Sequence, residues 1–191
     1  MALLTGRRSP ARPLAAAIFA ACVSASHLFS QAAAPPAAAP PLEAQVKAAF
    51  LYNFAKFIDW PASTSSPKEE VFVIGVLGET PIFAALSALE GQDVKGRRLV
   101  IRRFQRVSDV VCHVLFVSAD QTPAFSTGAA ALSNQPILTV GEGDEFLKAG
   151  GMIALVRTEG KIRYRVRPRQ AEIARLVISS KLLKLADRTG E

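Results

Sequence analysis

The feature that most constrains the fold is an alternation of short apolar segments with helix-like segments, which begins at Val71. Val71–Leu77 is an almost continuous apolar run that ends at Gly78, a pattern typical of a strand covered on both faces. Further strands are predicted at residues 98–104, 110–118, 137–140, 152–157 and 161–167. Helix-like segments lie between them at residues 81–89, 122–133 and 144–149, the last capped by Asp144.

Strands that are joined through helices pair in parallel, so this order predicts an α/β fold. We expect three layers, in which a mainly parallel central sheet carries helices on both faces. A C-terminal antiparallel hairpin finishes the sheet, with Thr158, Glu159 and Gly160 between its two strands.

Two longer helices are predicted to flank the alternating region. The first covers residues 42–58 and ends before Trp60 and Pro61, because a residue that precedes proline avoids the helical conformation. Lys47 and Lys56 are left for solvent, and the apolar face is formed by residues at helical spacing: Val46, Ala49, Phe50, Phe54 and Phe57. The second runs unbroken over residues 168–186, and its wide apolar arc predicts burial between the sheet and a second layer or subunit.

The N-terminal residues have the layout of an export signal. A basic start is followed by an apolar run at residues 14–23 and then by small residues. The run is too short for a membrane span, which needs roughly 20 apolar residues. We predict a signal peptide over residues 1–32, a Pro/Ala-rich flexible segment over 33–41, and one α/β domain over 42–187. Cleavage after Ala25 or near Ala32 remains open, and a lipid anchor at Cys22 is the less favoured alternative.

Export changes what the net charge of the chain implies about its binding partners. Without the three arginines of the leader, 20 basic residues face 16 acidic ones, which leaves a net charge of +4. That charge is too low for a nucleic-acid-binding footprint, and an exported protein meets little nucleic acid. Only Cys112 remains outside the leader, so no intramolecular disulfide is expected although an exported protein could form one.

The sequence offers no set of groups for catalysis. His113 is the only histidine well inside the predicted domain. On a strand, His113 and the adjacent Cys112 point to opposite faces and cannot act together. Glu142, Asp144 and Glu145 lack the spacing of an EF-hand calcium loop, and no zinc-binding spacing is present. We therefore expect a protein that is not an enzyme and that uses no metal or cofactor.

The stretch KIRYRVRPR, residues 161–169, places a cation at every second position. Arg163, Arg165 and Arg167 share one face of the predicted strand with Lys161, while Tyr164 and its apolar neighbours face the core. Two interpretations stay open. The cations either protect an outer strand from pairing with other chains, or they meet an anionic surface or ligand.

Three stretches together resemble the YfiR-like family of exported bacterial proteins. They are VKAAFLYNFAKFIDWP at residues 46–61, a middle block that runs from FVIGVLGETPIFAAL to CHVLFVS at residues 72–118, and a late block that runs from ILTVGEGDEFLKAGGMIAL to SSKLLKLA at residues 137–186. The resemblance implies a periplasmic α/β protein, often dimeric, that binds the periplasmic domain of an inner-membrane diguanylate cyclase and inhibits it. Relief of that inhibition raises cyclic di-GMP and favours biofilm.

Two departures from the family pattern concern single residues. Relatives often pair a cysteine in the first strand with one at the position of Cys112, and Gly75 stands at the first-strand position here. Relatives also tend to have an asparagine where this chain has Arg167. The redox control and the surface charge that the family implies are therefore altered in this chain.

The candidates for the partner surface are Arg163, Arg165 and Arg167, together with Trp60, for which a core position at the helix end is the favoured interpretation. A homodimer is implied by the resemblance alone. The alternative function is a periplasmic small-ligand sensor that binds an anionic or aromatic molecule near Gly78 and Ser118, at the carboxyl ends of the parallel strands.

Overall fold

Helices and strands alternate through the chain much as the sequence predicts. The structure is a computed structural model, and it describes residues 39–61 and 70–187. The strands are β1 Ile58–Asp59, β2 Val71–Leu77, β3 Asp93–Val94, β4 Arg97–Phe104, β5 Val114–Val117, β6 Leu138–Glu142, β7 Ile153–Thr158, β8 Lys161–Val166 and β9 Val177–Ile178. The α-helices are α1 Leu42–Phe57, α2 Ile82–Ser87, α3 Thr122–Ser133, α4 Gly143–Lys148, α5 Pro168–Ile173 and α6 Ser180–Leu185.

The central sheet has seven strands in the order β3-β4-β2-β5-β6-β7-β8. The five inner strands pair in parallel, and β3 and β8 are antiparallel at the two edges. Numbered among themselves, the parallel strands follow the order 2-1-3-4-5, one of the two common doubly wound arrangements. The predicted α/β class, the mainly parallel sheet and the C-terminal hairpin are confirmed.

Each face of the sheet has its own apolar core. Strand β5 shows this most clearly, because Val114 and Phe116 belong to one cluster and Leu115 and Val117 to the other. The first cluster is covered by α1, α2, α5 and α6, and the second by α3 and α4. A strand buried on both faces needs apolar residues at every position, which explains its continuous apolar run.

The buried face of α1 differs in part from the predicted one. Lys47 is buried, whereas Val46 and Phe57 are 37% and 41% exposed. The buried face consists of Ala44, Lys47, Ala48, Leu51, Phe54 and Ala55. Its small alanines allow the helix to approach the sheet closely, and Lys47 is accommodated there because two carboxylates pair with it. Lys56 is exposed, as predicted.

The predicted last helix over residues 168–186 is wrong as a single element. Arg175 takes a left-handed conformation at φ 60° and ends α5, with the Leu176 N–H donating to the Ala171 carbonyl. Strand β9 follows and pairs antiparallel with β1. Ser179 then caps α6 by accepting a hydrogen bond from the Leu182 N–H at 3.3 Å. The wide apolar arc combines residues of three differently oriented elements, α5, β9 and α6.

Two further boundaries also differ from the prediction. The strand predicted over residues 110–118 is limited to Val114–Val117. Asp144 does not cap α4, because Glu142 occupies the cap position without a side-chain bond and Asp144 lies in the first turn. The hairpin turn is confirmed, with Glu159 and Gly160 at φ 51° and 74°, the conformation of a two-residue turn of type I′.

The predicted leader and most of the Pro/Ala-rich segment lie outside the described residues. Within the part of the chain that is described, no helix combines the length and hydropathy that a membrane span requires.

Candidate functional site

Strand β8 forms one edge of the central sheet and carries the predicted basic face. Tyr164 and Val166 are buried on the side of α1 and α6. Arg163 and Arg165 project from the opposite face, as the period of two predicts. The alternation of the strand therefore separates an apolar face from a cationic one.

Two of the three predicted arginines are held by helix α4. Nη1 of Arg165 lies 2.6 Å from both carboxylate oxygens of Asp144. Nη1 of Arg167 donates to the Leu147 carbonyl at 2.6 Å, near the end of the same helix. A cation at the last carbonyls of a helix also complements the helix dipole. These two side chains thus fasten the strand to α4.

Arg163 is held more loosely than its two neighbours. Its Nε atom is 3.9 Å from the Asp187 carboxylate, and 47% of its side chain is exposed. Lys161 and Arg169 are exposed, and neither side chain has a hydrogen bond or an ion pair in the described part of the chain. The cations that remain available to a partner are therefore Lys161, Arg163 and Arg169.

Trp60 lies in the core, at 8% exposure, and does not join the basic face. Its ring meets Phe72 of β2 edge to face at a centroid distance of 5.1 Å. Four strand spacings separate β2 from β8 in the sheet, or roughly 19 Å. The predicted surface residues therefore fall into two separate places, and Trp60 as a partner contact stays a prediction.

The crevice predicted for a ligand, between the ends of β2 and β5, is occupied by protein groups. Ser118 is 5% exposed, and its hydroxyl donates to the Leu77 carbonyl at 3.0 Å. The space beside Gly78 that a side chain would need is taken by Ser118 and Gln121.

A cavity of about 370 Å³ lies beside that crevice, near the carboxyl ends of β5 and β6. Its charged lining comes from α1, β6, α4 and β7, and its apolar wall from Leu155, Val156 and Ile162. The charged residues are Glu43, Lys47, Glu142, Asp144 and Arg157. No sequence pattern indicates this cavity, because helical spacing predicts that Lys47 faces solvent.

Lys47 is the centre of the charge network in this cavity. Its Nζ atom lies 2.8 Å from Glu43 and 3.0 Å from Glu142, and Arg157 also pairs with Glu43. The hydrogen bond and the charge of Lys47 lower the pKa of the Glu43 carboxyl. Burial acts to lower the pKa of Lys47, but the two carboxylates together raise it above its usual value.

A second, apolar cavity of about 230 Å³ lies between α1, β8 and α6. Its floor is aromatic, and Asn53 and Lys181 supply the polar groups. Phe57 and Leu185 on its lining are 41% and 68% exposed. The apolar lining residues are Phe50, Phe54, Phe57, Tyr164, Leu182 and Leu185.

His113 and Cys112 occupy different sides of the sheet, as their adjacency predicts, although both precede β5. The Nδ1 atom of His113 accepts a hydrogen bond from the Val73 N–H at 3.1 Å, and its ring stacks on Phe72. Cys112 packs against the second core cluster, and burial raises the pKa of its thiol to about 12. A thiol with such a pKa is a poor nucleophile at neutral pH.

The acidic residues considered for calcium each meet a different cation. Glu142 pairs with Lys47, Asp144 with Arg165, and Glu145 with Lys148. In residues 39–61 and 70–187, no group of three or more potential ligands is arranged to hold a metal ion.

A family model described as YfiR/HmsC-like matches residues 44–187. The chain belongs to that family. The match covers most of α1 and the whole central sheet, so the fold and the basic strand both fall within it. Membership in the YfiR/HmsC-like family suggests a periplasmic regulator of diguanylate cyclase signalling, and members are regulators rather than enzymes. No curated protein matches the chain.

In this YfiR/HmsC-like chain, Gly75 of β2 lies close to Cys112, which stands in the segment that precedes β5. A Cβ atom at Gly75 would lie 3.0 Å from the Cys112 sulfur, but also 2.6 Å from the Phe104 ring. The position assigned to the missing cysteine therefore faces Cys112, and Phe104 fills the space that a second sulfur would need.

Proposed function

We propose that this chain is an exported regulator that binds the periplasmic domain of an inner-membrane diguanylate cyclase and inhibits it. The observation that carries the proposal is the family match over residues 44–187. Inhibition lowers cyclic di-GMP and thereby biofilm formation. The leader over residues 1–32 delivers the chain to the periplasm, where it acts as a homodimer.

The partner surface in this proposal is the basic face of β8. Arg165 and Arg167 fix the strand to α4, and Arg163 extends the face into solvent. A cationic face of this kind suits an acidic patch, which speeds association and selects the partner by charge. Trp60 lies in the core about four strand spacings from β8, so any contact that it makes with the partner is a second, separate one.

Inhibition requires only that the chain bind the inactive state of the cyclase more tightly than the active state. A hundredfold preference moves an evenly balanced equilibrium to about 99% inactive. A signal that weakens binding then releases the enzyme. No group on the regulator has to take part in the reaction.

The test is intracellular cyclic di-GMP in a strain that lacks this gene, with the gene restored as an exported or a leaderless copy. We expect the level to rise on deletion and to fall again only with the exported copy. An Arg163→Glu copy should restore inhibition poorly, whereas Lys148→Glu, which reverses an exposed charge on α4, should restore it fully. An unchanged level on deletion under several growth conditions would exclude the proposal.

The charged cavity supports a second candidate, a small-ligand sensor that acts on another membrane partner. It lies beside the crevice where doubly wound sheets bind ligands, and it offers both cations and carboxylates in a volume of about 370 Å³. A ligand there should raise the melting temperature of the wild-type chain in a saturable way without any membrane partner, and Arg157→Ala should reduce the effect. Anionic and aromatic metabolites are the first compounds to screen.

A further inference from the structure

The outer edge of β8 presents backbone groups that no strand of the sheet uses. The Arg167 N–H donates to the Met152 carbonyl at 2.8 Å, so these two residues form a hydrogen-bonded pair that continues the ladder between β8 and β7. In an antiparallel ladder, such pairs alternate with non-hydrogen-bonded pairs, whose backbone N–H and C=O groups point away from the neighbouring strand. By the register of β7 and β8, Ile162 and Tyr164 therefore direct their N–H and C=O groups away from β7.

One residue of the C-terminal segment covers part of this edge. The Asp187 N–H donates to the outward Tyr164 carbonyl at 2.8 Å. The Asp187 carboxylate accepts from the Thr158 hydroxyl at 3.3 Å and lies 3.9 Å from Arg163. Among the described residues, the contacts of Asp187 with this hairpin are one backbone hydrogen bond and two long side-chain contacts. A competing strand that offers several backbone bonds can displace Asp187.

The charges beside the edge decide what kind of strand fits. Lys161 and Arg163 stand at alternate positions of β8, and both are exposed. A second copy of this chain that paired antiparallel along the same edge would place cations opposite cations, which destabilises a strand pair. A segment with acidic residues at alternate positions would place carboxylates there instead. The other face of that segment would lie toward Leu185, which is exposed. Leu185 stands two residues before Asp187 and lines the neighbouring apolar cavity.

We propose that β8 binds its partner by strand addition: an extended, acidic segment of the partner pairs with the outer edge of β8 and displaces Asp187. The inference rests on the proposed function, in which the partner is the periplasmic domain of a diguanylate cyclase. It specifies how the basic strand recognises that partner. The backbone edge supplies affinity, and the cations on one face supply selectivity.

The test uses the mature full-length chain and, one at a time, the purified periplasmic domains of the membrane diguanylate cyclases from the same genome. Ile162→Pro removes an outward N–H but leaves the bonds to β7, and proline is tolerated on an edge strand when its N–H faces outward. Ile162→Val keeps the N–H and is the matched control. We expect Ile162→Pro to lose at least about tenfold in affinity and Ile162→Val to bind like the wild type.

A second variant should change the affinity in the opposite direction. Asp187→Pro removes the N–H that occupies the Tyr164 carbonyl and so frees the edge. We expect it to bind the same domain about fivefold more tightly, the equivalent of one backbone hydrogen bond that no longer has to be broken. A general loss of structure would not increase affinity. The Lys161→Glu/Arg163→Glu double variant should lose binding even if Ile162→Pro fails to fold.

The outcomes separate the two proposals. If the wild type binds a domain and the proline, valine and charge-reversal variants bind it equally, strand addition and the basic face as partner surface are both overturned, whereas binding of the cyclase domain stands. If the wild type binds none of the domains, both are overturned. If Ile162→Pro instead dissociates a dimer of this chain in sedimentation, the edge belongs to a second copy and the proposal is wrong.

Discussion

The Nζ atom of Lys47 lies 3.0 Å from Oε1 of Glu142, so that a buried lysine joins the first helix to the end of a central strand. Glu43, one turn earlier on α1, lies 2.8 Å from the same atom. The lysine side chain is 11% exposed, whereas the two carboxylates are 40% and 30% exposed. The network therefore fixes α1 over the carboxyl ends of the parallel strands while water still reaches its acidic side.

Lys47→Met should lower the free energy of unfolding by about 1–2 kcal/mol. The loss is smaller than that for a fully buried pair, because water can solvate the two carboxylates that remain. Lys56→Met on the same helix is the control, since Lys56 is exposed and lies 5.0 Å from the Tyr52 ring centroid. It should change stability by less than about 0.5 kcal/mol. Urea unfolding at neutral pH measures both, and equal effects would contradict a structural role for Lys47.

The contribution of Glu43 should depend on pH in a defined direction. Its pKa in the folded chain lies below the ordinary value of 4.5, because Lys47 hydrogen-bonds the carboxylate and attracts its charge. The stability that it supplies is therefore present above pH 4.5 and is lost as the pH falls through the lower folded pKa. The wild type should be more stable than Glu43→Gln at pH 7, and the difference should shrink at pH 3. A difference that grows on acidification would contradict this assignment.

The sequence predicts the sheet well because strands buried on both faces have a local signature. Val71–Leu77 and Val114–Val117 are apolar throughout, and the chain order between them leaves few alternatives to a parallel arrangement. The alternating faces of β8 follow from its period of two. The partners of its arginines could not be predicted, because Asp144, Leu147 and Asp187 reach them only through the tertiary fold.

The sequence does not predict the burial of Lys47 or the break of the last helix, and the reason is the same for both: each depends on a residue far away in the chain. Helical spacing gives the direction of Lys47 but not the presence of Glu142, which arrives from a distant strand. No glycine or proline occurs between Pro168 and Ala186 to signal a break. The break is stabilised instead by the pairing of β9 with β1, which lies far away in the sequence.

Arg175→Gly should stabilise the fold, because glycine adopts the left-handed conformation at φ 60° without the cost that a side chain imposes. We expect a gain of about 0.5–1 kcal/mol in the free energy of unfolding. Arg169→Gly is the matched control, since Arg169 is exposed within α5 and a glycine there weakens the helix by a similar amount. If both variants lose stability in urea unfolding, residues 168–186 form the single helix after all.

The Cys112 thiol should react slowly in the folded protein. With a pKa of about 12 the thiolate is scarce at pH 8, so that reaction with a disulfide reagent should be on the order of a thousandfold slower than in the unfolded chain. A Cys22→Ser background makes Cys112 the sole thiol. Ser126→Cys in that background places a thiol on the exposed side of α3 and should react at once. Equal rates for the two thiols would show that Cys112 is accessible.

Gly75→Cys should form a disulfide with Cys112 once Phe104 makes room. A Cβ atom at position 75 lies 3.0 Å from the Cys112 sulfur, on the order of the distance that a disulfide sets between these two atoms. The Phe104 ring, 2.6 Å from the same Cβ, should make the bond slow to form or strained in the single variant. Removal of the ring in Gly75→Cys/Phe104→Ala should therefore speed disulfide formation, although loss of the aromatic side chain lowers stability by about 3 kcal/mol.

Mass spectrometry of the oxidised protein measures the bond, in a Cys22→Ser background that excludes other pairings. Ser126→Cys serves as the control, because it lies on α3 in the helix layer rather than on a strand beside Cys112. If Gly75→Cys forms no disulfide even without the ring, the register between β2 and the segment before β5 differs from the one described. If the single variant forms the bond as fast as the double variant, Phe104 is mobile enough to leave the site, and this chain has lost the disulfide through the glycine alone.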